Sequence, residues 1–236
     1  MTLDQLVEGL REAWGGNLAA IVLYGSAAGT DYHGPASDQN VLVLVHEANV
    51  GAFQLISRVV RRWVGVGNPP PLVLTSDEWR RSADVFAIEY ADLLERHRVL
   101  FGRLPTEGIR VRRRDIRQQL ETEAMGKLLR LRRGLMSAGD DARRLRGLLD
   151  DVLSSALALF RATLRLHGEA IPASSDAVCD RAASLAGFGA AEFRTALAHR
   201  RGSARLGPGD AQSILHAIHE ALESLVAHID RVAVDD

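Results

Sequence analysis

Two short apolar runs, and the polar residues at their ends, constrain this chain more than any other feature. Ala19-Ala20-Ile21-Val22-Leu23-Tyr24 and Val41-Leu42-Val43-Leu44-Val45 are brief, bounded by turn residues and rich in β-branched side chains, which predicts buried strands. Gly25-Ser26-Ala27-Ala28, after the first run, reads as a turn into a short helix. A glycine at such a turn lets backbone N–H groups approach a phosphate. Ser37-Asp38-Gln39-Asn40 opens the second run, so Asp38 and Asn40, two apart on a strand, project from one face. Two oxygen-bearing side chains are thereby aimed at one spot near the Gly-Ser turn.

In this layout the chain resembles the nucleotidyltransferases of the DNA polymerase β superfamily, especially the small prokaryotic group that includes the aminoglycoside nucleotidyltransferases. Their motif is Gly-Ser, some ten residues, Asp-x-Asp before a strand, and a third carboxylate on a later strand. Here Gly25-Ser26 is followed by a ten-residue spacer and Ser37-Asp38-Gln39-Asn40, so the first aspartate is present and the second is an asparagine. The resemblance implies an α+β chain: a minimal nucleotidyltransferase α/β domain with a mixed sheet over residues 1–104, then an all-α helical bundle over 109–236. It also implies Mg²⁺ and a nucleoside triphosphate. Asp38 would be the bridging metal ligand, with Asn40 and a third carboxylate beside it, while Gly25, Ser26 and Ser37 would hold the nucleotide phosphates.

Candidates for the third carboxylate lie in Asp84-Val85-Phe86-Ala87-Ile88-Glu89-Tyr90-Ala91-Asp92, whose alternation of Phe86, Ile88 and Tyr90 with Ala87, Glu89 and Ala91 predicts a strand. Glu89, in the middle of that run, fits the third position best, and Asp92, at its end, is second. Asn40 retains an oxygen for a cation but removes one formal negative charge from a site meant for two dications. Asp31 and His33, in the spacer, read as solvated loop residues.

The rest of the α/β half follows from local signals. Leu3, Leu6, Val7 and Leu10 keep helical spacing over residues 2–14, as do Phe53, Ile56, Val59, Val60 and Trp63 over Val50 to Val64. Pro71 to Thr75 predicts a short strand, and Ser76-Asp77-Glu78-Trp79 an N-cap with an acidic first turn. Gly102 to Gly108, with Pro105, marks a break. Beyond it, leucine-rich helical spacing predicts two long helices, shorter ones at about 175–187 and 190–200, and a last helix from near Pro208 to about Ala233. An antiparallel bundle is the economical packing, compatible with a homodimer without requiring one.

Charge is uneven although the net is only −1. Between Arg110 and Gly147 lie eleven arginines and Lys127, the chain's only lysine, against five acidic residues. Such a stretch can track phosphates of a nucleotide or RNA acceptor. The plainer reading is a solvated helical surface paired with acidic neighbours, and the lack of any aromatic residue from Arg110 to Leu159 argues against base stacking. No apolar run reaches the roughly 18 residues of a membrane span, and the first residues do not read as a leader, so a cytoplasmic protein with no membrane partner is expected. Cys179, the lone cysteine, sits among Ala177, Val178 and Ala182 and reads as buried packing. His216 and His219 share a helix face with no obvious third metal ligand, which reads as a solvated surface.

The leading functional expectation is Mg²⁺-dependent transfer of a nucleoside monophosphate to a hydroxyl on a small molecule, protein or RNA. The alternative is a catalytically degenerate nucleotide- or partner-binding relic of the same fold, for which Asn40 is the reason. A third reading rests on Arg194-Thr195-Ala196-Leu197-Ala198-His199, which matches the Arg-x4-His pattern of HEPN helical domains and would imply an RNase or toxin–antitoxin component.

Overall fold

The computed structural model describes residues 1–28, 39–207 and 209–234 and divides into two compact units, Met1–Val111 and Arg112–Asp236. In the first unit, α1 (Leu3–Trp14) leads into β1 (Leu18–Tyr24) and a single turn of 3₁₀ helix, Gly25–Ala28. Then come β2 (Asn40–Val45), α2 (Val50–Val64), β3 (Leu72–Thr75), α3 (Ser76–Arg81), α4 (Ala87–Glu95) and β4 (His97–Gly102). The sheet order is β3-β2-β1-β4; β1 runs antiparallel to both its neighbours while β2 and β3 are parallel, so the sheet is mixed as expected.

Both faces of the sheet are covered, which is why β1 and β2 are apolar without alternation. Ile21, Leu23, Val41, Val43 and Val45 pack with Leu6, Leu10, Ile56 and Trp63 of α1 and α2. The intervening residues Ala20, Val22, Leu42 and Leu44 form a second core with Trp79, Tyr90 and Leu93 of α3 and α4. Thr2 and Thr75 cap α1 and α3 through reciprocal capping boxes with Gln5 and Glu78. The α3 cap is thus one residue earlier than the Ser76 expected.

One element differs in kind. Residues 87–95 form helix α4, which overlaps most of the 84–92 segment expected to be a strand, so Glu89 is on a helix. The run satisfies two periods at once: Phe86, Ile88 and Tyr90 alternate, but Ala87, Tyr90 and Leu93 are spaced for a helix, and these last three are the buried ones. Phe86, on the same face as Tyr90 in the strand reading, is 39% exposed. Tertiary contacts decide between the periods. The place beside β1 is taken by β4, and Tyr90 is held against α3 by stacking on Trp79, centroids 4.1 Å apart, and by donating its hydroxyl to the Trp79 carbonyl at 2.6 Å.

The second unit is helical throughout: α5 (Arg113–Ala138), α6 (Ala142–Leu166), α7 (Ser175–Ala186), α8 (Ala191–Arg200) and α9 (Asp210–Arg231). Helices α5, α6 and α9 pack on one another, and Leu120, Leu128, Leu131, Leu149, Ile218 and Leu225 on them are buried. Much of the arginine-rich stretch has structural work here. Arg113 donates twice to the Leu166 carbonyl at the end of α6, at 3.0 and 2.8 Å, and Arg117 donates to the Val232 carbonyl just past α9, at 3.0 Å. A cationic donor at a helix C-terminus satisfies an orphan carbonyl and complements the dipole. Arg112 and Arg132 pair with Asp115 and Glu223, whereas Arg130, Arg133, Arg143 and Arg146 are exposed. No helix among the described residues is long and apolar enough to cross a membrane.

Candidate active site

Register brings three strand ends together. Tyr24, the last residue of β1, is opposite Asn40, the first of β2, and on its other side opposite His97, the first of β4. The chain then turns at Gly25, whose φ of +77° is in the left-handed region that an L side chain resists. Just before β2, the Gln39 N–H donates to the Asn68 side-chain oxygen at 3.2 Å, which fixes the approach to Asn40. At the other flank, His97 Nδ1 is 2.6 Å from the Leu93 carbonyl and ties the last turn of α4 to the start of β4.

Helix α4 brings acid to this corner. Glu89 and Asp92 are three apart and half-buried, so they lie on neighbouring parts of one helical face. The Tyr24 hydroxyl senses both: its pKa is pushed up to about 12, first by burial, then by the charge of Glu89, then by that of Asp92. Gly25 borders Asp92 as well. A Cβ added to Gly25 would sit 3.2 Å from the Asn40 amide nitrogen and 3.9 Å from a carboxylate oxygen of Asp92. Asn40, Asp92 and the Gly25 turn therefore converge, with Glu89 beside them around Tyr24.

Of the site residues expected from the sequence, Gly25, Asn40 and Glu89 are placed at this corner, Glu89 from a helix instead of a strand. Ser37 and Asp38 lie outside the described residues, as do Asp31, His33 and the side chain of Ser26. Sequence reasoning ranked Asp92 second and passed over Tyr24 and His97. The signal for Asp92 was its three-residue spacing from Glu89, visible only once the segment is read as helix. Among the described residues no three His, Cys, Asp or Glu side chains gather into a metal cluster. The donors at this corner, two carboxylates and an amide, are nevertheless the hard oxygen type that suits Mg²⁺.

The sequence matches no known protein family, and no curated protein is detectably similar to it. Its three-dimensional structure does have a relative. Spectinomycin adenyltransferase AAD(9) from Enterococcus faecialis, in a crystal structure with ATP and spectinomycin, superposes over 97% of this chain and 98% of its own, with a TM-score of 0.64 at 13% identity. The fold is that of a nucleotidyltransferase. At this identity the shared property is the fold.

The remaining motifs are engaged elsewhere. Arg194 and His199 are both exposed on α8, five residues and hence about 140° apart around the helix. Arg194 pairs with Asp180, and His199 Nδ1 is 3.1 Å from the Ala204 carbonyl. His216 and His219 pair with Glu220 and Glu223 one turn on. Cys179 is fully buried, and burial is the main reason its thiol pKa is pushed up to about 12.

Proposed function

We propose that this protein binds a nucleoside triphosphate at the Gly25 turn and transfers its nucleoside monophosphate to a hydroxyl of a small polar acceptor. The observation that carries the reading is that Asn40 and the α4 carboxylate Asp92 border a positive-φ glycine, with Glu89 about one turn earlier on α4, in a nucleotidyltransferase fold. In this reaction the acceptor oxygen bonds to the α-phosphorus, the bond to the bridging oxygen breaks, and pyrophosphate leaves with that electron pair. Backbone N–H groups at Gly25, with Ser26 and Ser37, would cradle the terminal phosphates. Asp38, Asn40 and Glu89 would hold Mg²⁺, which when bound neutralises charge on the entering and leaving oxygens. Glu89, half-buried, is the carboxylate suited to accept the proton of the acceptor hydroxyl.

The structural relative was solved with ATP and spectinomycin, which makes ATP the first nucleotide to test and a hydroxyl-rich small molecule the first class of acceptor. A nucleotide-binding protein without turnover is the second reading, and Asn40 is the residue that favours it. The test incubates the purified protein with each labelled nucleoside triphosphate, Mg²⁺ or Mn²⁺, and a panel of polyhydroxylated acceptors, alongside Asn40→Asp and Glu89→Gln. Label transfer by the native chain that is lost in Glu89→Gln is the expected result. Transfer by Asn40→Asp alone would show that the native chain is not an active enzyme.

A further inference from the structure

We infer that Asp92 supplies the carboxylate that Asn40 lacks, so that this site keeps its negative charge but carries one unit of it on α4 instead of on β2. The inference rests on the nucleotidyl-transfer reading above and concerns which residues would hold its cation.

The replacement of an expected strand by a helix makes this arrangement possible. On an extended strand, residues 89 and 92 would point to opposite faces, and only one could reach the site. On α4 their three-residue spacing leaves them about 60° apart around the helix axis, so both face one neighbour. That neighbour is Tyr24, whose hydroxyl experiences the charge of each. Tyr24 precedes Gly25 and is in register with Asn40, and Asp92 borders the Gly25 turn, so its carboxylate lies at the corner where a second strand aspartate would stand. A Cβ at Gly25 would stand 3.2 Å from the Asn40 amide nitrogen and 3.9 Å from an Asp92 carboxylate oxygen, so both side chains border the same turn.

Charge and hydrogen-bonding capacity agree with that placement. Two strand aspartates and a third acid would make three carboxylates around the metal. As proposed above, Asp38 would join Glu89 and Asp92 to make three as well, with the Asn40 amide beside Asp92. An amide can both donate to a carboxylate and offer a carbonyl oxygen to a cation. An aspartate at position 40 would instead face Asp92 as a like charge, which is unfavourable at short range. Asn40 and Asp92 are therefore complementary: the amide at one position is explained by the acid at the other.

Mn²⁺ titration, followed by the electron paramagnetic resonance of free Mn²⁺, measures the site without relying on turnover. It is run on the native chain, Asp92→Asn, Asn40→Asp and the exchanged double variant Asn40→Asp/Asp92→Asn, each with and without ATP. Asp92→Asn is expected to weaken Mn²⁺ binding at least tenfold, and the exchanged variant to recover native affinity within about threefold. Asp92→Asn binding Mn²⁺ as the native chain does would overturn the inference while leaving the nucleotidyl-transfer reading intact. Failure of the exchanged variant to recover affinity would overturn it too, even if Asp92→Asn alone does not fold. A native chain that binds neither Mn²⁺ nor ATP would remove both.

Discussion

Replacing Gly25 by alanine separates what the turn costs in stability from what it does for a ligand. At φ +77° an L residue is strained by about 1–2 kcal/mol, since its Cβ crowds the following carbonyl. The new methyl would sit 3.2 Å from the Asn40 amide nitrogen and 3.9 Å from the Asp92 carboxylate, both tips of side chains that can withdraw a few tenths of an ångström. Packing therefore adds little, and the expected loss is the strain alone. Gly102→Ala is the internal standard: its φ is +69°, but its Cβ would lie 2.0 Å from the Ala19 backbone carbonyl oxygen, so overpacking of about 1–3 kcal/mol adds to the same strain. The assay is urea unfolding followed by tryptophan fluorescence. All three tryptophans, Trp14, Trp63 and Trp79, are buried in the Met1–Val111 unit, so the signal reports that unit. With a urea dependence of about 1–3 kcal/mol per molar, Gly25→Ala should lower the midpoint by roughly 0.5–1 M and Gly102→Ala by more. ATP affinity should fall at least tenfold in Gly25→Ala, because the methyl occupies the surface on which phosphate would rest. An unchanged midpoint in Gly25→Ala, or a loss equal to that of Gly102→Ala, would refute the reasoning.

Two further outcomes concern the helical unit. His167 and His228 approach within 2.8 Å, Nε2 to Nε2, and the His228 pKa is held below its ordinary 6.5 by burial first, then by His167 and Arg231. The unfolded chain therefore takes up a proton at His228 before the folded one does. That contribution to stability is whole above pH 6.5 and is lost as pH falls below it. Melting temperature by far-ultraviolet circular dichroism should drop between pH 7.5 and 5, and His228→Gln should flatten that slope; an identical slope in the variant would contradict the assignment. With its pKa raised from 9.0 to about 12, the Cys179 thiol should hold about a thousandfold less thiolate than a free cysteine. A thiol-specific disulfide reagent should label one thiol in denaturant and almost none in the folded protein, and rapid labelling of the native chain would count against its burial.

Strands β1, β2 and β3, the turn and the helical second half were legible because each depends on local signals, whereas β4 (His97–Gly102) was not read. Apolar runs closed by Gly25 and opened by Asn40 make β1 and β2, and α2 spans Val50 to Val64 as its periodicity predicted. The α4 segment was not legible, because Phe86-Ala87-Ile88-Glu89-Tyr90 fits two periods equally well, and the stacking of Tyr90 on Trp79 lies outside any local window. Arginine clustering misled in a milder way. Arg113 and Arg117 bind backbone carbonyls at Leu166 and Val232, partners far along the chain.

Pattern alone thus determined that this chain makes short buried strands, the first ending in a Gly-Ser turn, followed by packed helices, since burial of short apolar runs and helical stripes requires no knowledge of distant partners. Which acids face that turn was decided only in three dimensions. A strand would have offered Glu89 alone; the helix selected by Trp79, Tyr90 and Leu93 turns Glu89 and Asp92 together toward Tyr24, and strand register brings Asn40 and Gly25 to meet them. The physical reason is that side-chain direction depends on the period of the backbone, and tertiary packing chose that period.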